Sequence, residues 1–174
     1  DVMVYRPNGV TVNAMMTVLV ENGWCHLALS LYLDHLHHAD DVSHLKALSA
    51  CIQIDDFELG KSVHFGVEEE HRSSVSLKHS LIDFYGHFGG IQEAQRIFEG
   101  IAAEDRDWFS IGSMMKALIS NGLCGDALSL YHSHRSLQND VCHTLAVSAC
   151  KVMGDLESGQ AIHRQIESER HRMS

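Results

Sequence analysis

The stretch LSACIQIDDFELGKSVH at residues 48–64 returns 99 residues later as VSACKVMGDLESGQAIH at residues 147–163, with 7 of the 17 paired positions identical. A second pair, residues 13–32 and 112–131, has the same offset and matches at 11 of 20 positions. Two independent matches at one offset mark a duplicated architecture, and duplication restricts the fold more than any other property of this chain. Copies of one unit must make the same local structure and bury the same face against a neighbour. The expected arrangement is therefore a stack of units, each touching the next, although 174 residues could bury a core as one closed domain.

Between the duplicated blocks lies a third kind of unit, SLIDFYGHFGGIQEAQRIF at residues 80–98, which resembles both others in outline and copies neither. The 99-residue period then divides into three units of about 33 residues. Units are expected at residues 9–40, 41–74, 75–107, 108–139 and 140–174, with residues 1–8 ending a preceding one. Each shows an apolar-periodic segment, a break (ENG, IDD, GGI, SNG or MGD) and a second periodic segment. In the first unit Met15, Met16, Leu19 and Val20 recur at helical spacing before Asn22 and Gly23, and Leu27, Ala28, Leu31 and Tyr32 resume it. The pattern predicts a helix–turn–helix, its first helix ended by glycine or asparagine in left-handed geometry. Neither helix hides its apolar stripe alone, so hairpins must stack, and the fold predicted is all-α. Small residues at Ala28, Gly60, Ala94, Ala127 and Gly159 mark equivalent close-packing points in the second helices.

Composition fits this reading. Apolar residues make up 45%, with one proline and no long uninterrupted hydrophobic run, which argues against disorder and against a membrane-spanning helix. The chain opens on Asp1 with no methionine, charged leader or apolar signal core, so it reads as a segment of something longer whose targeting sequence lies elsewhere. Five cysteines form no C-x-x-C pair, and two couples, Cys25 with Cys124 and Cys51 with Cys150, are equivalent across the duplication. They read as small packing residues in a reducing compartment. The formal charge of −10 opposes phosphate binding, but 14 histidines soften it. Half-protonation near pH ~6.5 would add about seven charges and leave about −3.

The rotation of VTVNAMMTVLVENGWCHLALSLY, LSACIQIDDFELGKSVH and SLIDFYGHFGGIQEAQRIF resembles the pentatricopeptide repeat family, in particular the plant-type subclass in which P, L and S variants alternate. The T-P-L-H of ankyrin repeats and the W-x-x-L-G-x-x-Y of tetratricopeptide repeats are missing from the chain. The resemblance implies a right-handed α-solenoid of about five helix–turn–helix repeats that binds single-stranded RNA, roughly one base per repeat, along the face lined by first helices. It also implies which positions meet a base. The second residue of a unit packs on the ring, and the fifth residue, with the unit's last, reads the edge.

Carried over, the first unit offers Val10 for packing and Asn13 with Asp40 as the polar pair, the family's combination for uracil. The second has Val42, with Leu45 and Ser74. The third has Ser76, with His79 and Asp107; the fourth Phe109, with Gly112 and Asn139; the fifth Val141, with Thr144 and Ser174. Leu45 and Gly112 offer no hydrogen-bonding side chain, so one unit of five carries a well-formed pair. Four of the five first helices carry one lysine each, Lys46, Lys78, Lys116 and Lys151, at differing positions.

Other clusters read as surface. His35 and His38 have ligand spacing but no matching carboxylate or cysteine, so a solvated helix end is expected and no metal. His64 and His163 occupy one repeat position, and Glu68 to Glu70 read as an exposed helix face. No nucleophile elbow, phosphate-binding glycine loop or H-x-E…C-x-x-C deaminase signature occurs in the sequence. The expected role is that of an RNA-binding array without cofactor or enzymatic activity of its own. It would work in a mitochondrion or plastid, positioning a transcript for editing, processing or stabilisation beside protein partners of an RNA-processing complex. The alternative is a protein-interaction scaffold whose repeats have lost base reading.

Overall fold

The computed structural model describes residues 9–67 and 74–172. Expectations resting on residues 1–8, on Glu68 to Glu70 and on Ser174 fall outside the described residues. Within them all regular structure is helical: α1 Gly9–Glu21, α2 Cys25–Asp34, α3 Asp41–Gln53, α4 Phe57–Gly66, α5 Val75–His87, α6 Ile91–Glu99, α7 Trp108–Ser120, α8 Cys124–Ser133, α9 Asp140–Met153 and α10 Leu156–Arg172. Short 3-10 turns, Leu36–His38 and Arg135–Leu137, follow α2 and α8, so even the connections repeat at the 99-residue offset.

Five hairpins are visible among the described residues, and each turn holds one residue with positive φ. These are Gly23 (76°), Asp55 (58°), Gly89 (80°), Gly122 (76°) and Gly154 (70°). Glycine takes that geometry freely, whereas the short polar side chain of Asp55 tolerates it at a cost. Asparagine has a different task from the one expected. Asn22 donates its amide to the Val18 carbonyl at 2.8 Å, and Asn121 donates to the carbonyls of Ala117 (2.8 Å) and Gly86 (2.7 Å). Each thus adds a side-chain donor to carbonyls near a helix end.

The chain divides into two compact units, residues 1–84 and 85–174, the division falling within α5. In the first, α3 packs on both α1 and α2 and pairs with α4. Met16, Ala28, Ala47, Leu48 and Cys51 are completely buried there. In the second, α9 packs on α7 and α8 and pairs with α10, while α6 packs on α7; Ile111, Met115, Ala127, Tyr131 and Ala146 are completely buried. Hiding a side chain the size of Met16 or Leu48 contributes about 1.5–3 kcal/mol, which supplies what isolated helices of 10–14 residues lack.

All five cysteines are free and buried. Burial, with Asp56 nearby, pushes the Cys51 thiol up to about 12, so it stays protonated and inert. Ala28, Ala94 and Ala127 are completely buried, and Gly60 lies so close to the Phe84 ring that a methyl group there would overlap it. Gly159 is looser. Its Cβ would meet Cys150 Cβ at 3.6 Å, an ordinary contact.

One polar contact is duplicated inside the packing. Tyr32 Oη is hydrogen-bonded to His44 Nδ1 at 2.9 Å, and Tyr131 Oη to His143 Nδ1 at 2.9 Å, each tying the second helix of one hairpin to the first helix of the next. Burial raises the Tyr32 hydroxyl to about 12, keeping it neutral.

Candidate nucleic-acid interface

The second residue of four first helices is a large apolar side chain outside the core. Val10 is 77% exposed, Val42 41%, Phe109 45% and Val141 48%. Ser76 holds the same place in α5 and is also exposed. An apolar group is thus left in solvent at the same repeat position in four of the units.

The residue that closes each of the first four units has a structural task that the sequence reading missed. Asp40, Asp107 and Asn139 are the N-caps of α3, α7 and α9, accepting from the backbone N–H groups of Ser43 (2.9 Å), Ser110 (2.8 Å) and Cys142 (3.0 Å). Ser74 Oγ receives the Leu77 N–H at 3.4 Å ahead of α5. At Asp40 and Asp107 the bond is reciprocal, the cap's own N–H reaching Ser43 Oγ or Ser110 Oγ at 3.4 Å. The signal was present as D-x-x-S, a capping box with serine in place of the usual glutamate.

In the first hairpin the cap is also half of the polar pair. Asn13 Nδ2 donates to Asp40 Oδ1 (3.0 Å) and Oδ2 (2.9 Å), while Ser43 Oγ lies 2.6 Å from Asn13 Oδ1 and 3.0 Å from Asp40 Oδ1. The hydroxyl has one proton, and the shorter contact to Asn13 Oδ1 is its better acceptor. A carboxylate can only accept and a hydroxyl proton can only donate, so together they set which way the Asn13 amide faces. These bonds use one N–H and one carbonyl lone pair of the amide. Burial alone would raise the Asp40 pKa. The bonds from the Ser43 N–H and the Asn13 amide outweigh it and hold the carboxyl below its ordinary range.

The other units differ. Leu45 is half-buried and Gly112 buried, as expected of positions without a polar side chain. His79 departs from its expected place: it is 7% exposed, its ring filling interior space where an edge-reading group would need solvent. Thr144 is exposed, but its Oγ1 donates to the Asp140 carbonyl at 2.8 Å. Asp107 is exposed and Asn139 half-buried. Lys116 and Lys151 are exposed, while Lys46 and Lys78 are half-buried. His35 donates Nδ1–H to the Leu31 carbonyl at 3.0 Å, and His134 repeats this with Leu130 at 3.1 Å, so both rings serve as helix-end groups.

Two segments, residues 10–34 and 109–133, match the family described as PPR repeat. Over 166 residues the chain is 30% identical to a chloroplastic pentatricopeptide repeat-containing protein of Arabidopsis thaliana, a match that covers 91% of this chain and 19% of the relative. A mitochondrial protein of the same kind and organism is 27% identical over 136 residues, covering 76% of this chain and 19% of its own length. These matches support the pentatricopeptide repeat family. The chain spans about a fifth of each of those relatives. A tetratricopeptide repeat protein from Parabacteroides merdae superposes with a TM-score of 0.68 at 16% identity, over 92% of this chain and 65% of that one, and its likeness extends to the fold alone. The two segments matched to pentatricopeptide repeats are the two that carry Val10 with Asn13 and Phe109 with Gly112, the best and the emptiest of the expected reading positions.

Proposed function

We propose that the chain is part of an organellar RNA-binding protein and that the N-terminal turns of its first helices contact single-stranded RNA. The observation that carries this reading is the Asn13 amide, oriented by Asp40 and Ser43 beside the exposed Val10. An oriented amide offers one donor and one acceptor to a pyrimidine edge, and Val10 packs on the ring without choosing among bases. In this reading Asn13 with Asp40 favours uracil. Val42, Phe109 and Val141 supply stacking and spacing, Ser74, Asp107 and Asn139 hold the helix starts, and Thr144 and His79 contribute little selectivity. The array positions an organellar transcript for editing, processing or stabilisation, and chemistry resides in other sequence or in a recruited partner. Names of relatives that include chloroplastic and mitochondrial support a plastid or mitochondrial setting.

A second reading, a protein-interaction array, draws support from the charge of −10 and from the empty or buried reading positions at Gly112 and His79. Titration of a labelled random single-stranded RNA pool with the chain at low salt separates the two. Binding that weakens with salt and is displaced by single-stranded but not duplex competitor is the result expected. Absence of binding at low salt favours the protein-interaction array.

A further inference from the structure

Among the described residues, α7 is the one first helix that opens on an aromatic side chain: Trp108 stands where Gly9, Asp41, Val75 and Asp140 open the other four. Trp108 is 44% exposed and meets Phe109, the next residue, edge to face, with ring centroids 5.6 Å apart and planes at 74°. Two neighbouring rings, each about half in solvent, leave a large apolar area open to a partner. Their backbone is held from beneath. The Asp107–Ser110 capping box fixes the first turn of α7, and the Trp108 carbonyl accepts from Cys142 Sγ at 3.6 Å.

The same unit has the empty reading position. A Cβ on Gly112 would be bordered by Val141 Cγ1 and Leu145 Cδ1, both at 3.9 Å, so the surroundings there are apolar. Charge at this helix start is arranged against phosphate. Glu104, Asp105 and Asp107 are exposed, while Arg106 is engaged elsewhere: its guanidinium lies 4.8 Å from the Phe98 ring centroid and donates to the carbonyls of Ile101 (3.0 Å) and Glu99 (3.2 Å).

We propose that Trp108 is a further stacking surface for RNA, so that the fourth unit anchors a nucleotide on the Trp108 and Phe109 rings without choosing its base. This rests on the RNA reading above and adds a residue outside the second, fifth and last positions of a unit. Every base has a π-face, so an exposed indole contributes affinity to all of them alike. With carboxylates on either side in sequence, the contact gains nothing from phosphate, and what Trp108 contributes is therefore independent of salt. Discrimination stays with Asn13, and part of the affinity comes from the unit that reads nothing.

The chain's two tryptophans are Trp24 and Trp108, so Trp24→Phe leaves Trp108 as the sole indole and its emission reports the contact directly. This variant is titrated with oligouridylate, oligoadenylate and oligocytidylate, and saturable quenching by all three is expected. In parallel, anisotropy titrations of the same labelled RNAs should show Trp108→Ala weakening each by one common factor, about tenfold. The slope of log affinity against log salt should not change, and Trp108→Phe should retain most of the affinity. The emission titration keeps the indole, so it decides the matter even where Trp108→Ala lowers the melting temperature. RNA binding that leaves Trp108 emission unaltered, or that Trp108→Ala changes by less than about twofold, overturns this proposal and leaves the RNA reading in place. A loss confined to one base also overturns it, because Trp108 would then be a reading residue. Failure of the wild type to bind any of the three at low salt overturns both.

Discussion

Asn13 and Asp40, 27 residues apart, meet in a two-pronged contact: one amide nitrogen lies 3.0 and 2.9 Å from the two carboxylate oxygens. The same carboxylate starts α3 by accepting the Ser43 N–H. Helix capping and the orientation of the candidate base-reading amide therefore depend on a single group. That dependence has a pH signature. The folded-state pKa of Asp40 lies below its unfolded value of about 3.9, so its bonds contribute fully above that value, and the contribution is lost as pH falls through the folded pKa. The stability difference between wild type and Asp40→Asn should be flat from about pH 5 to 8 and should shift against the wild type below about pH 4. Denaturant titrations at pH 3 and pH 7 that give the same difference would remove Asp40 from the acid response.

The hairpins were legible because a duplicated pattern advertises itself twice: Gly23 with Gly122 and Tyr32 with Tyr131 mark the same points in both copies. Caps were harder to see. Asp40 and Asp107 were assigned to ligand chemistry by their place in the unit, and the serine three residues later, which makes them caps, is a weaker marker than glutamate. His79 could not be placed from sequence, since a histidine on an amphipathic helix suits either face and packing in three dimensions decides.

Close packing in the second helices is testable at Ala94, which is completely buried in α6. Ala94→Leu forces extra methylenes into filled space and should cost about 1–3 kcal/mol. Gly60→Ala should also destabilise, because the new methyl overlaps the Phe84 ring. Unchanged urea midpoints in both variants would refute the packing claim.

Gly23 and Gly122 have positive φ, and a Cβ at either would meet nothing within 4 Å. Any cost of alanine there is therefore backbone strain alone. Each substitution should lower stability by about 1 kcal/mol, and the two should add in the double variant, since they lie in separate compact units and share no partner. Thermal melts showing a gain would mean that these turns are not held in left-handed geometry.

Tyr32→Phe and Tyr131→Phe each remove one hydrogen bond to a histidine and keep the ring. Losses of about 1 kcal/mol are expected, the larger at Tyr32, whose partner His44 is 2% exposed while His143 is half-buried. Equal, negligible losses would show that the contact fills space without contributing hydrogen-bond energy.

The central claim, that Asn13 held by Asp40 reads a base, is tested most directly by competition among single-stranded RNA oligonucleotides that differ at one nucleotide, run on wild type and on Asp40→Asn. Asparagine at position 40 can still cap α3, as Asn139 caps α9, so the fold is retained while the group that orients the Asn13 amide changes from pure acceptor to mixed donor and acceptor. The account predicts that wild type favours uracil at one position by about 1 kcal/mol, roughly fivefold, and that Asp40→Asn relaxes or redirects that preference with overall affinity little changed. Identical ranking of the four bases by both proteins would contradict it, leaving Asn13 and Asp40 as a helix-capping pair and nothing more.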